Sequence, residues 1–417
     1  MPKYCITQII LILMVISSCN EQATQKDQNI SLSQYEKGTY GYDLQFLQQY
    51  DSLVVLKDES GNAQVIVSPK YQAKVFTSTA TGLSGNSFGW INYKAFAAPV
   101  DEHMNAFGGE NRFWLGPEGG VFSLYFKKGD SMVFDNWRTP PPIDTEAWDV
   151  TSKDSQEVSM QKQMQLTNYK GFLLQLLAKR KVFILNTTAI FSKLSVPLDT
   201  SLKAVGYETQ NSIINTGSHS WNESTGMPCI WILDMFTPSP QTVIAIPYKA
   251  DLKNEFSKIA TTDYFGEIPD DRIKYIKDVL LFKADGKSRG KLGISPGRAK
   301  PLAGSYDGQT NVLTITLFDI NPDALYLNQE WSTNKLAFSG DAVNAYNDGP
   351  LQDGSQMGPF YEIESVSPAA FLKPMDSLSH NHTVIHLIGN INNLNNVALK
   401  VFGISLQEMQ QAFKLSK

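Results

Sequence analysis

Short apolar runs rich in β-branched residues recur along the whole chain, and turn residues separate them. Runs of this length predict β-strands and not helices. Turns are predicted where Gly or Asp supports a chain reversal, as at residues 58–61, 128–130 and 306–308. The pattern therefore predicts an all-β, antiparallel fold, with strands at residues 52–56, 64–68, 121–126, 182–185, 312–318 and 383–388.

Helices are predicted to be few and peripheral. Near the C-terminus, Ser405 and Glu408 have the spacing of a capping box ahead of a short helical stretch that reaches Phe413. A second short helix is predicted after Pro269, where two aspartates favour a helix N-terminus. No repeat of fixed period is visible, which disfavours propellers and solenoids.

Composition supports the same fold class. The chain has 17 Tyr, 22 Phe, 7 Trp and 29 Gly, which suits many strands separated by turns. Its formal net charge of −5, without a cluster of Lys and Arg, argues against nucleic-acid binding. A Pro- and Asp-rich joint at residues 139–151 allows a domain boundary near residue 150. We nevertheless predict one large sandwich over residues 35–417, because all-β domains often exceed the usual size.

The N-terminus predicts the compartment. A basic residue precedes the apolar run 9–16, which is too short to span a bilayer and ends at two serines and Cys19. This arrangement is typical of a secretory signal with a lipoprotein cleavage site. We predict a signal peptide over residues 1–18, acylation of Cys19 and a polar tether over residues 19–34, which places the protein in the cell envelope. Its lipid would hold it in a membrane, at the periplasmic or outer-membrane face. The alternative is that run 9–16 is a core strand or helix.

The folded part has only Cys229 after the signal peptide and Cys19 are accounted for, so no intramolecular disulfide is predicted. Cys229 lies in an apolar run and is predicted to be a buried residue, not a nucleophile. A structural zinc site that needs two cysteines is excluded.

Five ionisable side chains stand close together near the C-terminus. In residues 360–368, Glu362 and Glu364 alternate with other residues, and His380, His382 and His386 follow at even spacing. Side chains alternate faces along a strand, so each set is predicted to share one face. Two carboxylates side by side repel each other, which would raise the pKa of one of them. Such a carboxyl group suits acid–base catalysis, whereas the alternative is a structural ion pair with Arg or Lys.

The histidines also allow a metal site. Two imidazoles on one strand face, at His380 and His382, could bind zinc or another divalent ion if ligands came from elsewhere. His386 lies too far along the strand to join them. No cofactor is predicted, because phosphate-cradling and His-Glu-x-x-His motifs are missing from the sequence. The match to Gly-x-Ser-x-Gly at residues 293–297 is rejected, because Pro296 has no N–H for an oxyanion.

A glycine-rich segment at residues 103–120 contains Asn105, Arg112, Trp114 and Glu118. An arginine, an indole and a carboxylate on loops match the way proteins bind sugars, since the ring stacks on C–H groups and the polar groups bind hydroxyls. We predict these four residues as substrate-binding. The alternatives are that Arg112 forms an ion pair with Glu118 or Glu110 and that Trp114 belongs to the core.

The C-terminal motifs resemble those of aldose 1-epimerases, also called galactose mutarotases. The similarity lies in a Glu-bearing strand, a Ser-Pro turn, a Leu-x-Pro turn and a strand with Thr383 and His386, although Met375 stands where that family usually has Gly. The resemblance implies a large antiparallel β-supersandwich. It also implies a catalytic base at Glu364 or Glu362 and a sugar-binding role for Arg112.

The middle of the chain resembles the same superfamily less closely. Residues 212–217 are similar to the strand that ends in Asn before the catalytic His, yet Asn215 is followed by Thr216, and His219 comes four residues later. The resemblance implies that His219, or a C-terminal histidine such as His386 in the substrate site, acts as the acid. The whole pattern, including residues 107–120, also resembles a family of uncharacterised Bacteroidota lipoproteins with this fold.

Three functions remain open from the sequence. The first is a lipoprotein that binds carbohydrate and acts on a sugar hemiacetal or a uronic-acid polymer by a Glu/His or Glu/Arg acid–base set. The second is a non-catalytic carbohydrate-binding protein of a glycan-utilisation system, which the missing Asn-His motif supports. The third is a metal-dependent sugar-processing protein. The sequence leaves the sugar and the oligomeric state open, and the fold alone does not decide among these functions.

Overall fold

The computed structural model describes residues 34–250 and 258–414 of the 417-residue chain. The predicted signal peptide, Cys19 and all of the predicted tether except its last residue lie outside the described residues. Tyr35–Lys417 forms one compact unit. Within the described ranges, no helix is long and apolar enough to cross a membrane.

The described residues form eighteen strands, and every pairing between them is antiparallel. In chain order they are β1 (Val54–Lys57), β2 (Gln64–Ser68), β3 (Lys74–Thr79), β4 (Arg112–Gly116), β5 (Asp149–Lys153), β6 (Glu157–Thr167), β7 (Leu173–Ile184), β8 (Lys203–Asn215), β9 (Cys229–Phe236), β10 (Thr242–Pro247), β11 (Ile273–Ile276), β12 (Val279–Lys283), β13 (Gly290–Ile294), β14 (Leu302–Asp307), β15 (Val312–Phe318), β16 (Val343–Asn347), β17 (Tyr361–Val366) and β18 (Ser377–Ile388).

These strands build three sheets. The largest has ten strands in the order β11-β12-β10-β14-β15-β18-β8-β7-β6-β5, and a second has five in the order β13-β16-β17-β9-β4. A small third sheet contains β1, β2 and β3. The prediction of an all-β antiparallel sandwich with few helices is confirmed.

Four α-helices lie in the described part: α1 (Tyr40–Leu47), α2 (Thr187–Lys193), α3 (Ile391–Phe402) and α4 (Leu406–Gln411). The predicted capping box begins α4, because the Ser405 hydroxyl accepts from the Glu408 N–H at 3.1 Å and Glu408 accepts from the Ser405 N–H at 2.9 Å. The helix predicted after Pro269 is wrong. Residues 270–272 form a turn that leads directly into β11, and the residues of β11 pair with β12 as a strand instead of forming a helix.

Two of the four hydrophobic clusters in the described part are large. The main core lies between the ten-stranded and five-stranded sheets, and Cys229 is completely buried in it, as predicted. Burial raises the pKa of the Cys229 thiol to about 12, so it stays protonated. A second core lies under α2, α3 and α4, and Phe402 and Met409 are among its buried residues.

Alternation along β17 determines which side chains enter the main core. Tyr361 and Ser365 turn toward the ten-stranded sheet, since Tyr361 Oη lies 2.8 Å from Ser305 Oγ on β14 and Ser365 Oγ contacts histidines of β18. Glu362 and Glu364 must therefore turn to the opposite face of the five-stranded sheet.

Candidate functional site

Four charged side chains meet on the face of the five-stranded sheet that is turned away from the ten-stranded sheet. They are Arg112 from β4, Lys291 from β13, and Glu362 and Glu364 from β17, and we call them the charged cluster. Strand pairing brings them together, because β9 pairs with both β4 and β17, and both Arg112 and Glu364 lie opposite Leu233. The prediction that the two glutamates share one face is confirmed.

The charged cluster consists of two buried ion pairs. Arg112 Nη2 contacts Glu362 Oε1, and Lys291 Nζ lies 3.0 Å from Glu364 Oε2. Trp231 on β9 donates its indole N–H to the same Glu364 oxygen at 2.8 Å. All four charged residues are buried, with exposed fractions of 7% or less. The alternative pairing of Arg112 with Glu118 or Glu110 is not formed.

Aromatic rings cover both cations. The guanidinium carbon of Arg112 lies 5.2 Å from the ring centroid of Trp114, and Lys291 Nζ lies 4.7 Å from that of Trp231. Such cation–π contacts stabilise a positive charge that has lost its water. Trp114 and Trp231 are buried residues that touch edge to face, with centroids 5.5 Å apart. Trp114 therefore belongs to the wall of the site as well as to the core.

Electrostatics give Glu362 an unusual pKa. Burial raises the pKa of Glu362 to about 7, the Arg112 charge counteracts this, and the Glu364 charge adds to it. The sequence predicted a raised pKa for one of the two glutamates, but burial is a stronger cause than the repulsion between them. For Lys291, burial lowers the pKa, while Glu364 and Glu118 raise it, with a net rise. Lys291 therefore remains cationic, and burial favours the protonated form of Glu362.

Two further carboxyl groups lie around Lys291. Burial raises the pKa of Asp341 to about 6 against hydrogen bonds that lower it, and Tyr264 donates its hydroxyl to Asp341 at 2.8 Å. Burial also raises the pKa of the half-buried Glu118, although the Lys291 charge opposes the rise. The site therefore offers several carboxyl groups that hold protons more tightly than carboxyl groups in water.

Two polar atoms of the charged cluster are buried without a hydrogen-bond partner. These are Arg112 Nε and Glu364 Oε1. Buried polar atoms are normally paired, so each unpaired one needs an explanation. A bound water or a ligand hydroxyl would satisfy both atoms.

A cavity of about 10 Å³, which has room for about one water molecule, adjoins the charged cluster. Arg112, Trp114 and Asn105 line it together with Lys74 and Asp144. Asn105 donates its backbone N–H and its side-chain amide to Asp144, at 3.1 Å and 2.9 Å. Three of the four residues predicted from the glycine-rich segment thus line one cavity, and Glu118 lies at Lys291.

The three C-terminal histidines lie on the other side of the five-stranded sheet. His380 Nε2 and His382 Nδ1 both lie 2.8 Å from Ser365 Oγ, and His382 Nε2 lies 2.7 Å from Asp234 Oδ2. His386 Nε2 lies 3.1 Å from Glu110 Oε1. The prediction that these three histidines share a face is confirmed. The histidines therefore do not line one groove with Glu362 and Glu364, because Ser365, which contacts two of them, faces the opposite side of β17 from both glutamates.

Two further predictions concern His219 as the acid and a metal site at His380 and His382. His219 is exposed in the loop after β8, and its ring contacts the neighbouring Ser218 at 3.0 Å and no member of the charged cluster. No group of three or more His, Cys, Asp or Glu side chains in the described part of the chain is placed to hold a metal ion. His380 and His382 therefore find no further ligand there.

The model of one protein family matches nearly the whole described chain. That family is described as a family of unknown function, DUF6786, and the match covers residues 38–413. The chain belongs to this family. No curated protein matches this DUF6786 chain.

Solved structures are similar in fold. The Slr1438 protein from Synechocystis sp. PCC 6803 has 11% identity and a TM-score of 0.50, with 81% of this chain and 96% of that chain covered. A galactose mutarotase-like protein from Lactobacillus casei has 8% identity and a TM-score of 0.46, covering 81% and 100%. A galactose mutarotase related enzyme from Lactobacillus acidophilus has 8% identity and a TM-score of 0.43, covering 80% and 97%. At these identities the likeness concerns the fold alone.

Sequence reasoning did not find several residues of the site in this DUF6786 chain. Lys291 stands in a Lys-, Gly- and Ser-rich stretch without a strand signal, and residues 290–294 of this stretch form β13 by pairing with β16. Trp231 lay in the run predicted to be a buried strand, without a polar signal of its own. Tyr264 and Asp341 come from segments far apart in the chain. Contacts between segments that are distant in the chain bring these residues together.

Proposed function

We propose that this protein binds a carbohydrate at the charged cluster and that Glu362 supplies acid–base chemistry of the aldose 1-epimerase type. The observation that carries the proposal is the buried Glu362 carboxyl group beside Arg112, with a pKa of about 7. A general acid–base group works best when its pKa lies near the working pH.

The chemistry needs two proton transfers. One group takes the proton from the anomeric hydroxyl while another protonates the ring oxygen, so that the bond between the anomeric carbon and the ring oxygen breaks and an aldehyde forms. Rotation about the neighbouring C–C bond and the reverse transfers give the other anomer. Glu362 is a candidate for one transfer, and Glu364 or a protonated Asp341 or Glu118 is a candidate for the other.

The cations of the site have a supporting role. Arg112 has a buried Nε–H that no atom of residues 34–250 and 258–414 accepts, and it can donate to a sugar oxygen. Lys291 forms an ion pair with Glu364 at 3.0 Å. Asn105, Trp114 and Glu118 keep the substrate-binding roles predicted for them. In this proposal His386 does not touch the sugar, because it lies in the core between the sheets.

A second function, binding without catalysis, is favoured by a specific observation. Both glutamates already have cationic partners, and no histidine of the described chain contacts either of them. A carbohydrate-binding protein needs only the hydrogen-bonding groups and the aromatic wall, not a proton-transfer pair. His219 as the acid remains an alternative that a His219→Gln variant tests in the same assay.

The experiment compares binding and anomer exchange in one set of variants. Exchange between α and β anomers of galactose, glucose and galacturonate is measured by NMR, and binding is measured by calorimetry, for wild type, Glu362→Gln and Glu364→Gln. Glu59→Gln, which changes an exposed glutamate, is the matched control. We expect Glu362→Gln to lose at least about a hundredfold in exchange rate, the lower end of the range for general acid–base catalysis.

Three outcomes are distinguishable. Loss of exchange with binding retained supports catalysis by Glu362. Binding by the wild type without faster exchange supports the non-catalytic function. If the wild type neither binds nor converts any of these sugars, the proposal is overturned.

The anchoring of the protein is a separate proposal. We infer from the sequence that Cys19 carries lipid in the cell envelope. Wild type should take up a clickable fatty acid in cells and partition into detergent, and Cys19→Ser should do neither. Equal labelling of both proteins would contradict this.

A further inference from the structure

A second, larger cavity lies near the end of β9 and the starts of β15 and β17, where Phe236, Val312 and Tyr361 line it. We call it the edge cavity. Its volume is about 480 Å³, which lies in the range of pockets that bind small molecules. Among the residues that the structure describes, no member of the charged cluster lines it. Because Tyr361 faces the ten-stranded sheet and Glu362 the opposite side, the edge cavity is separate from the charged cluster.

Aromatic side chains form a large part of the lining of the edge cavity. Phe88 and Trp90 line it with exposed fractions of 7% and 9%. Phe236 and Tyr361 line it as a pair, with ring centroids 5.4 Å apart. The edge cavity therefore offers ring surfaces on which an apolar face of a ligand can pack.

The segment that contains Phe88 and Trp90 is held in place by its backbone. The Phe88 N–H donates to the Ser78 carbonyl on β3 at 3.2 Å, and the Trp90 N–H donates to the Met235 carbonyl on β9 at 3.0 Å. Between them, Gly89 leaves no room for a side chain, since an added Cβ would lie 2.1 Å from a backbone carbonyl oxygen of β3. The aromatic wall is therefore formed before a ligand binds, which lowers the entropic cost of binding.

His386 also lines the edge cavity, stacked on Phe88 with ring centroids 4.2 Å apart. Both of its ring nitrogens already have partners. Nδ1 lies 2.9 Å from Thr314 Oγ1, and Nε2 lies 3.1 Å from Glu110 Oε1. His386 therefore contributes ring surface and not a free nitrogen, so we expect the edge cavity to bind a ligand without proton transfer by this histidine.

Two carboxylates supply hydrogen-bond acceptors in the lining. Asp43 is 2% exposed and accepts from the hydroxyls of Ser87 and Tyr93, and Asp307 accepts from the Thr310 hydroxyl at 2.6 Å. An ionised carboxylate has about four acceptor sites, so Asp43 can accept further hydrogen bonds. Burial raises the pKa of Asp43 to about 6, and Asp43 is therefore mainly ionised at pH 7.5. Exposed residues with uncharged polar side chains complete this part of the lining: Asn86, Thr237, Gln309 and Thr310.

We propose that the edge cavity is a second binding site, independent of the charged cluster, and that it takes an uncharged sugar ring. Aromatic rings pack on the C–H face of a sugar, while carboxylates, amides and hydroxyls bind its hydroxyl groups. The described lining has two carboxylates and no arginine, so like charges disfavour an anionic sugar. Lys37, exposed in the same lining, counters the charge of Asp43, which favours an uncharged ring over a cationic one.

The experiment measures the affinity of glucose and galactose by calorimetry, with galacturonate and glucosamine as charged probes. Asn86→Trp places an indole in the edge cavity from an exposed position, and Asp43→Asn removes one acceptor oxygen. The matched control is Asn396→Trp, which alters an exposed asparagine of α3 outside the cavity. We expect Asn86→Trp and Asp43→Asn each to weaken the binding of glucose or galactose at least about tenfold, the effect of losing one hydrogen bond to a charged group.

Hydrogen exchange locates the bound sugar on the wild-type protein without any mutation. A sugar in the edge cavity should slow exchange at residues 86–91 and 307–312, which contribute to its lining. A sugar at the charged cluster should instead slow exchange at residues 112–116 and 290–294, which form β4 and β13. This measurement therefore separates the edge cavity from the site of the proposed function.

Each outcome supports or overturns the inference. Weaker binding in Asn86→Trp and Asp43→Asn but not in Asn396→Trp, with slower exchange at residues 86–91, supports it. If Asp43→Asn does not fold, Asn86→Trp decides, because it changes an exposed side chain. Slower exchange only at β4 and β13, with unchanged affinity in Asn86→Trp, overturns the second site and leaves the proposed function standing.

The remaining outcomes concern the ligand and the other site. Protection confined to the edge cavity supports this inference and contradicts sugar binding at the charged cluster. Tighter binding of galacturonate or glucosamine than of glucose and galactose at the edge cavity overturns the assignment to an uncharged ring. Binding of no sugar overturns both proposals.

Discussion

At the scale of single residues, Glu362 couples stability to pH. Its pKa of about 7 exceeds the ordinary value of 4.5, so the folded protein holds this proton more tightly than the unfolded chain. The corresponding stability is present below pH 4.5, decreases as pH rises to about 7 and is constant above that value. The change reaches at most about 1.4 kcal/mol per pH unit.

We therefore expect the stability of wild type relative to Glu362→Gln to fall between pH 4.5 and 7. Urea unfolding at four or five pH values in this window measures it, and Glu59→Gln serves as the control with an unchanged profile. Parallel curves for wild type and Glu362→Gln would show that Glu362 does not titrate in this range.

Lys291 and Glu364 form a pair whose members depend on each other. Removal of one partner of a buried ion pair leaves an uncompensated charge and costs about 3–5 kcal/mol. Lys291→Met should lower the free energy of unfolding by about that amount, and the double variant Lys291→Met with Glu364→Leu should regain much of the loss. A double-mutant cycle by chemical denaturation tests this. Additive losses would mean that the two side chains do not interact.

Much of the residue pattern at this site was accessible from the sequence. Alternation along a strand correctly predicted that Glu362 and Glu364 share one face. The repulsion between them correctly predicted that the pKa of one glutamate is raised. The sequence could not predict that Arg112 and Lys291 form ion pairs with the two glutamates. Their strands, β4 and β13, are joined to β17 only through β9 and β16. Non-local pairing depends on the whole sheet and leaves no local signal.

At the scale of elements, strand prediction succeeded where packing on both faces is apolar. The runs 64–68 and 312–318 match β2 and β15 in their bounds. The run 121–126 was predicted as a strand but forms turns, so that prediction is wrong. Gly120 has a φ of 78°, and the Ser123 N–H donates to the Gly120 carbonyl at 3.1 Å, which closes a turn there. Its aromatic residues are buried by packing with side chains such as Trp137 and Trp331, not by a strand ladder.

The capping box of α4 gives a prediction about one element. Ser405→Ala removes the acceptor for the Glu408 N–H and should lower stability by about 1 kcal/mol. Hydrogen exchange should quicken at α4 before it does in the central strands, because the cap acts locally. Gln407→Ala, an exposed change in the same helix, should leave both measurements near wild type. An equal effect of the two substitutions would contradict a role of the cap.

At the scale of the whole molecule, the sandwich gives the two sets of ionisable residues different environments. Glu362 and His386 lie close together in the sequence, and both lie on antiparallel strands, as predicted. The fold then turns the glutamates to one side of the five-stranded sheet and the histidines to the core on the other. Which face of β17 meets the second sheet depends on the packing of two sheets, and alternation alone cannot decide it.

The buried histidines predict how the sandwich responds to acid. Burial and the neighbouring His382 lower the pKa of His380 from 6.5 to about 3, and its Nδ1 has no hydrogen-bond partner. The unfolded chain binds this proton more readily, so the stability linked to His380 is present above pH 6.5 and is lost as pH falls toward 3.

His380→Gln should therefore flatten the acid side of the stability curve by up to about 1.4 kcal/mol per pH unit. Calorimetric melting between pH 3.5 and 6.5 measures the slope, and His219→Gln, an exposed substitution, should reproduce the wild-type slope. An unchanged slope in His380→Gln would show that acid unfolding of the sandwich begins at another group.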